Sequence, residues 1–86
     1  MAILNIKIPK SVKRNISSIP LPWRIRIGKA IDLLRQEPYF GYPLSGRHKG
    51  KRRVKVWPYR IVYMIDPPNK RVVITEVKHR GSVSYD

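Results

Sequence analysis

The chain has 86 residues, with 19 Lys and Arg against 5 Asp and Glu, a formal charge of +14 and a pI near 10.9. Such a length suits one small domain spanning residues 1–86, burying roughly 60–65% of the surface that its unfolded chain exposes. The charge repels itself in the compact state, so a polyanionic or acidic partner would relieve it, and the absence of cysteine excludes disulfides, thiolate nucleophiles and cysteine-based zinc sites.

Residues Ile3 to Ile8 alternate Leu4, Ile6 and Ile8 with Ile3, Asn5 and Lys7, the period-2 pattern of a strand ended by Pro9. Pro9 suits the first turn of a helix. Val12, Ile16 and Ile19 then recur at helical spacing, while Lys10, Lys13 and Arg14 take the other side. After Pro20 and Pro22 a longer helix is expected, with Trp23, Ile27, Ala30, Ile31 and Leu34 on one stripe, stopping before Pro38. The segment from Pro38 to Pro43 breaks the helical pattern. Strands are expected over Leu44–Lys49, Arg52–Trp57, Tyr59–Ile65 and Arg71–Lys78, with Asp66-Pro67-Pro68-Asn69-Lys70 as a hairpin loop. The pattern predicts an α+β domain: an N-terminal strand, two helices, and an antiparallel β-meander forming one sheet with the helices on one face. The other face is left for a ligand.

Six of the nine residues from Arg47 to Lys55 are Lys or Arg, with His48 among them. In an extended strand successive side chains point to opposite faces, so Arg53, Lys55 and Trp57 share one side and Val54 and Val56 the other. On composition alone this is a solvated strand or a nucleic-acid patch, to which Arg47, His48, Lys49, Lys51 and Arg52 would contribute phosphate contacts. Further along, Lys78, His79 and Arg80 leave the last strand and Tyr85 follows, able to face the same groove. Trp57 suits base stacking, although covering a hydrophobic edge is the commoner fate of such a residue. Tyr59, Ile61, Tyr63 and Ile65 share a parity that points to the helices.

Taken together and in this order, Leu44-Ser45-Gly46, the cationic strand Arg53-Val54-Lys55-Val56, Tyr59-Arg60-Ile61-Val62-Tyr63, Val77-Lys78-His79-Arg80 and the terminal Tyr85 resemble the RelE/ParE superfamily of toxin–antitoxin toxins. The resemblance covers essentially the whole chain and implies a RelE-like fold. RelE-like members cleave mRNA in the ribosomal A site, whereas ParE-like members bind DNA gyrase without a catalytic set. The resemblance implies that Arg53, Lys55, Arg60, Arg80 and Tyr85 form the cleavage set of a metal-independent mRNA endoribonuclease. It departs from the RelE-like pattern in having Arg53 where a lysine is usual, in a turn shortened to Trp57-Pro58, and in ending one residue after Tyr85, which leaves no regulatory C-terminal helix. The alternatives are a gyrase-binding toxin and an inactive RNA-binding relative.

RNA carries its own nucleophile, the 2′-hydroxyl, so positioning and charge stabilisation dominate the demand on the protein. Arginines are phosphate clamps and poor proton shuttles. Lys55 and Tyr85 are candidate bases because surrounding cations influence which protonation state they favour. His79 is a rival base, against the plainer reading of a strand-end histidine with a local hydrogen bond. No metal or other cofactor is expected, since Asp66 and Glu76 are too scattered to complete a ligand set with two histidines. The expected partners are a cognate acidic antitoxin, the ribosome and mRNA. A cytoplasmic location without membrane association is expected. The longest apolar run, Ile61 to Ile65, falls far short of the ~20 residues that span a bilayer, and the N-terminus lacks signal-peptide features.

Overall fold

In a computed structural model, which describes residues 3–82, two helices lie against a five-stranded sheet. Chain order is β1 (Asn5–Lys7), α1 (Lys10–Ser17), α2 (Leu21–Leu34), β2 (Tyr42–Pro43), β3 (Arg52–Val56), β4 (Tyr59–Asp66) and β5 (Arg71–His79). The sheet runs β1-β5-β4-β3-β2. Strands β2 to β5 pair antiparallel, as the meander predicts, but β1 adds to β5 in parallel and makes the sheet mixed. Parallel neighbours require a long crossover, here supplied by both helices and the rest of the meander.

Both helices begin at prolines, which fix φ without needing a donor: Pro9 and Pro20 occupy the N-cap positions. Val12 and Ile19 from the α1 region, and Ile27, Ile31 and Leu34 from α2, pack on Val54, Ile61, Tyr63, Val72, Ile74 and Val77 of the sheet. This is the expected helix stripe meeting the expected strand parity. The Asn15 side-chain amide donates to the Val77 carbonyl and ties α1 to β5. The β4–β5 connection is a 3-10 turn over Pro67–Asn69 followed by Lys70 at φ 50°. There the Asp66 carboxylate accepts from Asn69 Nδ2 at 2.9 Å and from Arg71 Nε at 3.0 Å. The Asn69 bond, more than the arginine, holds the Asp66 carboxyl below its ordinary range.

The expected strand over Leu44–Lys49 does not form. Its place is taken by a 3-10 turn over Gly46–His48, and the edge strand lies just upstream as two residues, Tyr42 and Pro43. Gly46 at φ 64° and Gly50 at φ 96° adopt left-handed conformations that bend the chain back, which glycine does without steric cost.

A register shift on β5 has a larger effect. Val62 pairs with Glu76 but Tyr63 pairs with Ile74, so Thr75 is the extra residue of a β-bulge. Its hydroxyl donates to the Val62 carbonyl at 3.0 Å. Before the bulge Val72 and Ile74 point into the core; after it Val77 does, so the inward parity changes from even to odd.

Candidate nucleic-acid interface

The face of the sheet away from the helices collects cations through strand alternation and that bulge. Lys55 pairs with Arg60 and Arg60 with Lys78, one row of three positive side chains across β3, β4 and β5. Like charges directly opposite one another destabilise a sheet. The adjacent row is Tyr42, Arg53, Val62 and Glu76. Val62 is fully buried yet absent from the helix-side core, and its half-buried neighbours Arg53 and Glu76 flank it in the manner of long side chains laying aliphatic stems over apolar surface. Glu76 is a carboxylate on this face and lies 3.7 Å from Lys78 Nζ.

Arg80 reaches the edge of the face from beyond β5. Its backbone N–H donates to the Pro58 carbonyl at 2.8 Å, and its guanidinium carbon sits 4.4 Å from the centre of the Trp57 ring. Trp57 is 64% exposed, so it carries Arg80 instead of covering a hydrophobic edge. A stacked arginine keeps its planar fork of donors free for an oxyanion.

Other residues go elsewhere. Arg52 faces the helix side at the sheet edge, where its guanidinium donates to the Gly41 carbonyl at 3.0 Å and the Tyr39 carbonyl at 3.2 Å; it holds a loop and does not join the row. His79, one residue past Lys78, pairs with Tyr59 and meets that ring edge-on, with 5.3 Å between centroids, on the helix side. Its Nδ1 accepts the Gly81 N–H at 3.2 Å, the local bond of a strand-end histidine. Arg47, His48, Lys49 and Lys51 belong to the β2–β3 connection, at the opposite end of β3 from Trp57. Lys51 is four residues from Lys55, about 13 Å along an extended strand. Tyr85 lies outside the described residues. Thus the fold gathers Arg53, Lys55, Arg60, Lys78 and Arg80, and separates Arg52, His79 and the Arg47–Lys51 group from them. No group of three or more His, Cys, Asp or Glu suited to a metal ion occurs among the described residues, and no described helix is long and apolar enough to cross a membrane.

Sequence reasoning did not single out the aromatic segment beside this face. Tyr39, Phe40 and Tyr42 are 65%, 59% and 68% exposed, yet the loop bearing them is pinned. The buried Tyr63 hydroxyl donates to the Pro38 carbonyl at 2.6 Å and accepts the Gly41 N–H at 2.9 Å. A Cβ on Gly41 would lie 2.5 Å from that hydroxyl oxygen, which makes glycine a packing requirement there. The Arg53 guanidinium sits 5.7 Å from the Tyr42 ring. A larger, mainly apolar cavity of about 620 Å³ lies among Leu4, Pro38, Tyr39, Phe40, Ile65 and Pro67. Its lining lacks the cations that the open face brings together.

Residues 8–83 match the model of a family described as the ParE toxin of the type II toxin–antitoxin system parDE. No curated protein is similar enough in sequence to match. Among solved structures, a chain of the toxin–antitoxin complex RelBE2 from Mycobacterium tuberculosis superposes with a TM-score of 0.82 at 26% identity, covering 95% of this chain and 97% of that one. A chain of the archaeal RelE–RelB complex from Pyrococcus horikoshii gives 0.79 at 26% identity, covering 94% and 99%. The free RelE toxin of Escherichia coli, a double arginine-to-alanine mutant, gives 0.76 at 13% identity, covering 90% and 83%, a likeness of fold. With a family model spanning nearly the whole described chain and a RelE-like sheet carrying its cations on the uncovered face, this protein belongs to the ParE toxin family of type II toxin–antitoxin systems, within the RelE/ParE superfamily.

Proposed function

We propose that the protein is a cytoplasmic, ribosome-dependent endoribonuclease that cleaves mRNA in the A site and is kept silent by a cognate acidic antitoxin. The observation that carries this reading is the shared open face of Arg53, Lys55 and Arg60, with Arg80 delivered to its edge by Trp57 and Pro58. In the proposed step the 2′-oxygen attacks the adjacent phosphorus and the bond to the 5′-oxygen breaks. The products are a 2′,3′-cyclic phosphate and a 5′-hydroxyl; a base takes the 2′-hydroxyl proton and a second proton reaches the departing oxygen. Arg53, Arg60 and Arg80 hold phosphate oxygens and offset the charge that builds on the phosphorane.

Lys55, exposed on this face, is the base candidate in its neutral form, with Tyr85 the other. His79 is given no proton-transfer role because its ring faces the helix side. A positioned base contributes about 10²–10⁴-fold. The ribosome supplies the remaining orientation of substrate, which suits a protein with so sparse a set. The relatives solved as toxin–antitoxin complexes support a protein antitoxin, and the charge of +14 favours an acidic, amphipathic segment over the basic face.

Adding the purified protein to translating ribosomes and mapping message ends should reveal cuts at a fixed codon position. Arg80→Ala is expected to slow cleavage about 10²–10³-fold while lowering the melting temperature by only a few degrees, since an exposed cation–π contact is worth about 0.5–1 kcal/mol. A parallel collapse of folding would assign Arg80 to structure. The match to a ParE family model favours a second reading, a non-catalytic toxin that binds DNA gyrase; intact message with blocked supercoiling would establish it.

A further inference from the structure

We infer that the notch between residues 40–42 and the outer edge of β3 is a nucleotide subsite, where a base of single-stranded RNA stacks on Tyr42 while Arg53 holds the adjoining phosphate. The inference rests on the RNA reading of the cationic face and adds to it a place for a nucleobase.

The notch exists because β2 is so short. Its two residues pair only with Arg53 and Arg52, so no strand among the described residues covers β3 on that side from Val54 to Val56. A cavity of about 440 Å³ opens there, lined by Phe40, Gly41, Tyr42, Arg53, Val54 and Lys55. That volume falls within the roughly 300–1,000 Å³ of small-ligand sites. Aromatic rings line one wall and cations another, the two chemistries by which proteins hold single-stranded nucleic acid.

Two features suit the notch to binding. The loop that presents Tyr42 is fixed by the Tyr63 hydroxyl and the Arg52 guanidinium, so little ordering cost remains to be met when a ligand arrives. Arg53 is held by packing near the Tyr42 ring, and its Nε is buried without a hydrogen-bond partner. A buried unpaired donor is costly to a fold, and a phosphate drawn to this guanidinium adds charge-assisted hydrogen bonds there. An acidic peptide would engage the cations, but a ring in water beside them is matched by a ligand carrying a flat base next to its phosphate.

The test is anisotropy of labelled hexa-adenylate, and of the same ribose-phosphate chain without bases, on wild-type protein, Tyr42→Ala and Tyr42→Phe. Tyr42→Ala should weaken hexa-adenylate about 5- to 100-fold and the abasic chain far less, since it removes the base's stacking partner but from Arg53 only a cation–π neighbour, worth only a few-fold when exposed. Tyr42→Phe keeps the ring and should match the wild type. Equal loss on both chains, or no loss on either, overturns the inference. So does a Tyr42→Ala protein that keeps hexa-adenylate but loses an acidic antitoxin peptide. Ribosomes are absent from this measurement, which separates the two proposals. Base-dependent binding with uncut message keeps the subsite and removes the nuclease; cut message without base-dependent loss does the reverse.

Discussion

Tyr63 shows how one side chain links the core to the site. Its ring is fully buried in the core, while its hydroxyl fastens Pro38 and Gly41 and so aims the exposed aromatics that follow. Tyr63→Phe would leave a carbonyl and an N–H without their partner, a loss of about 1–3 kcal/mol, or about 4–8 °C in melting temperature per kcal/mol for a domain of this size. Burial pushes the phenol up from its ordinary value, against smaller lowering effects from the Gly41 N–H and Arg52. Above about pH 10 the unfolded chain therefore releases this proton while the folded one retains it. Stability should be complete below that pH and decline as pH rises toward the folded value. Denaturant titrations from pH 8 to 11 should show a steeper alkaline fall for wild type than for Tyr63→Phe; equal slopes would remove the linkage.

At the scale of the element, the bulge in β5 decides what the open face contains. Without Thr75 as an extra residue, strict alternation would continue the even-numbered inward parity of Val72 and Ile74, turning Lys78 toward the helices and Val77 to water. With it, Lys78 completes the row begun by Lys55 and Arg60, and His79 turns to the helix side. Bulges re-aim side chains next to functional sites for this reason. Thr75→Val keeps shape and removes the hydroxyl bond to Val62. It should cost about 1 kcal/mol and weaken RNA binding through the displaced Lys78. Chemical denaturation and anisotropy on one preparation check both, and an unchanged affinity would mean that the bulge does not depend on this bond.

Across the whole molecule, the charge of +14 acts on folding and binding with opposite sign. Added salt shortens the screening length from about 10 Å at 0.1 M to about 3 Å at 1 M, which relieves self-repulsion, so the melting temperature should rise. RNA affinity should fall, with a log–log slope of roughly −2 to −3 if three or four phosphates are neutralised. Thermal scans and binding isotherms over one salt series test this. A flat binding curve would count against the cationic face as a phosphate site.

Local pattern alone was enough for the order of strands and helices, the helix stripe from Trp23 to Leu34 and the alternation of Arg53 and Lys55 with Val54 and Val56, because hydrophobic period and proline placement act over a few residues. The resemblance carried by Tyr59-Arg60 and Lys78-His79-Arg80 likewise needed no coordinates. Three things were decided only by tertiary structure. Gly46 and Gly50 turned an expected strand into a 3-10 turn and left β2 two residues long, since a left-handed φ depends on where the chain must return. The bulge at Thr75 chose Lys78 over His79 for the open face, because register is a property of two strands and not of one. Arg52 and Tyr42, either side of the same edge, took opposite tasks. One is drawn to loop carbonyls 11 and 13 residues earlier in the chain; the other stands in water beside Arg53.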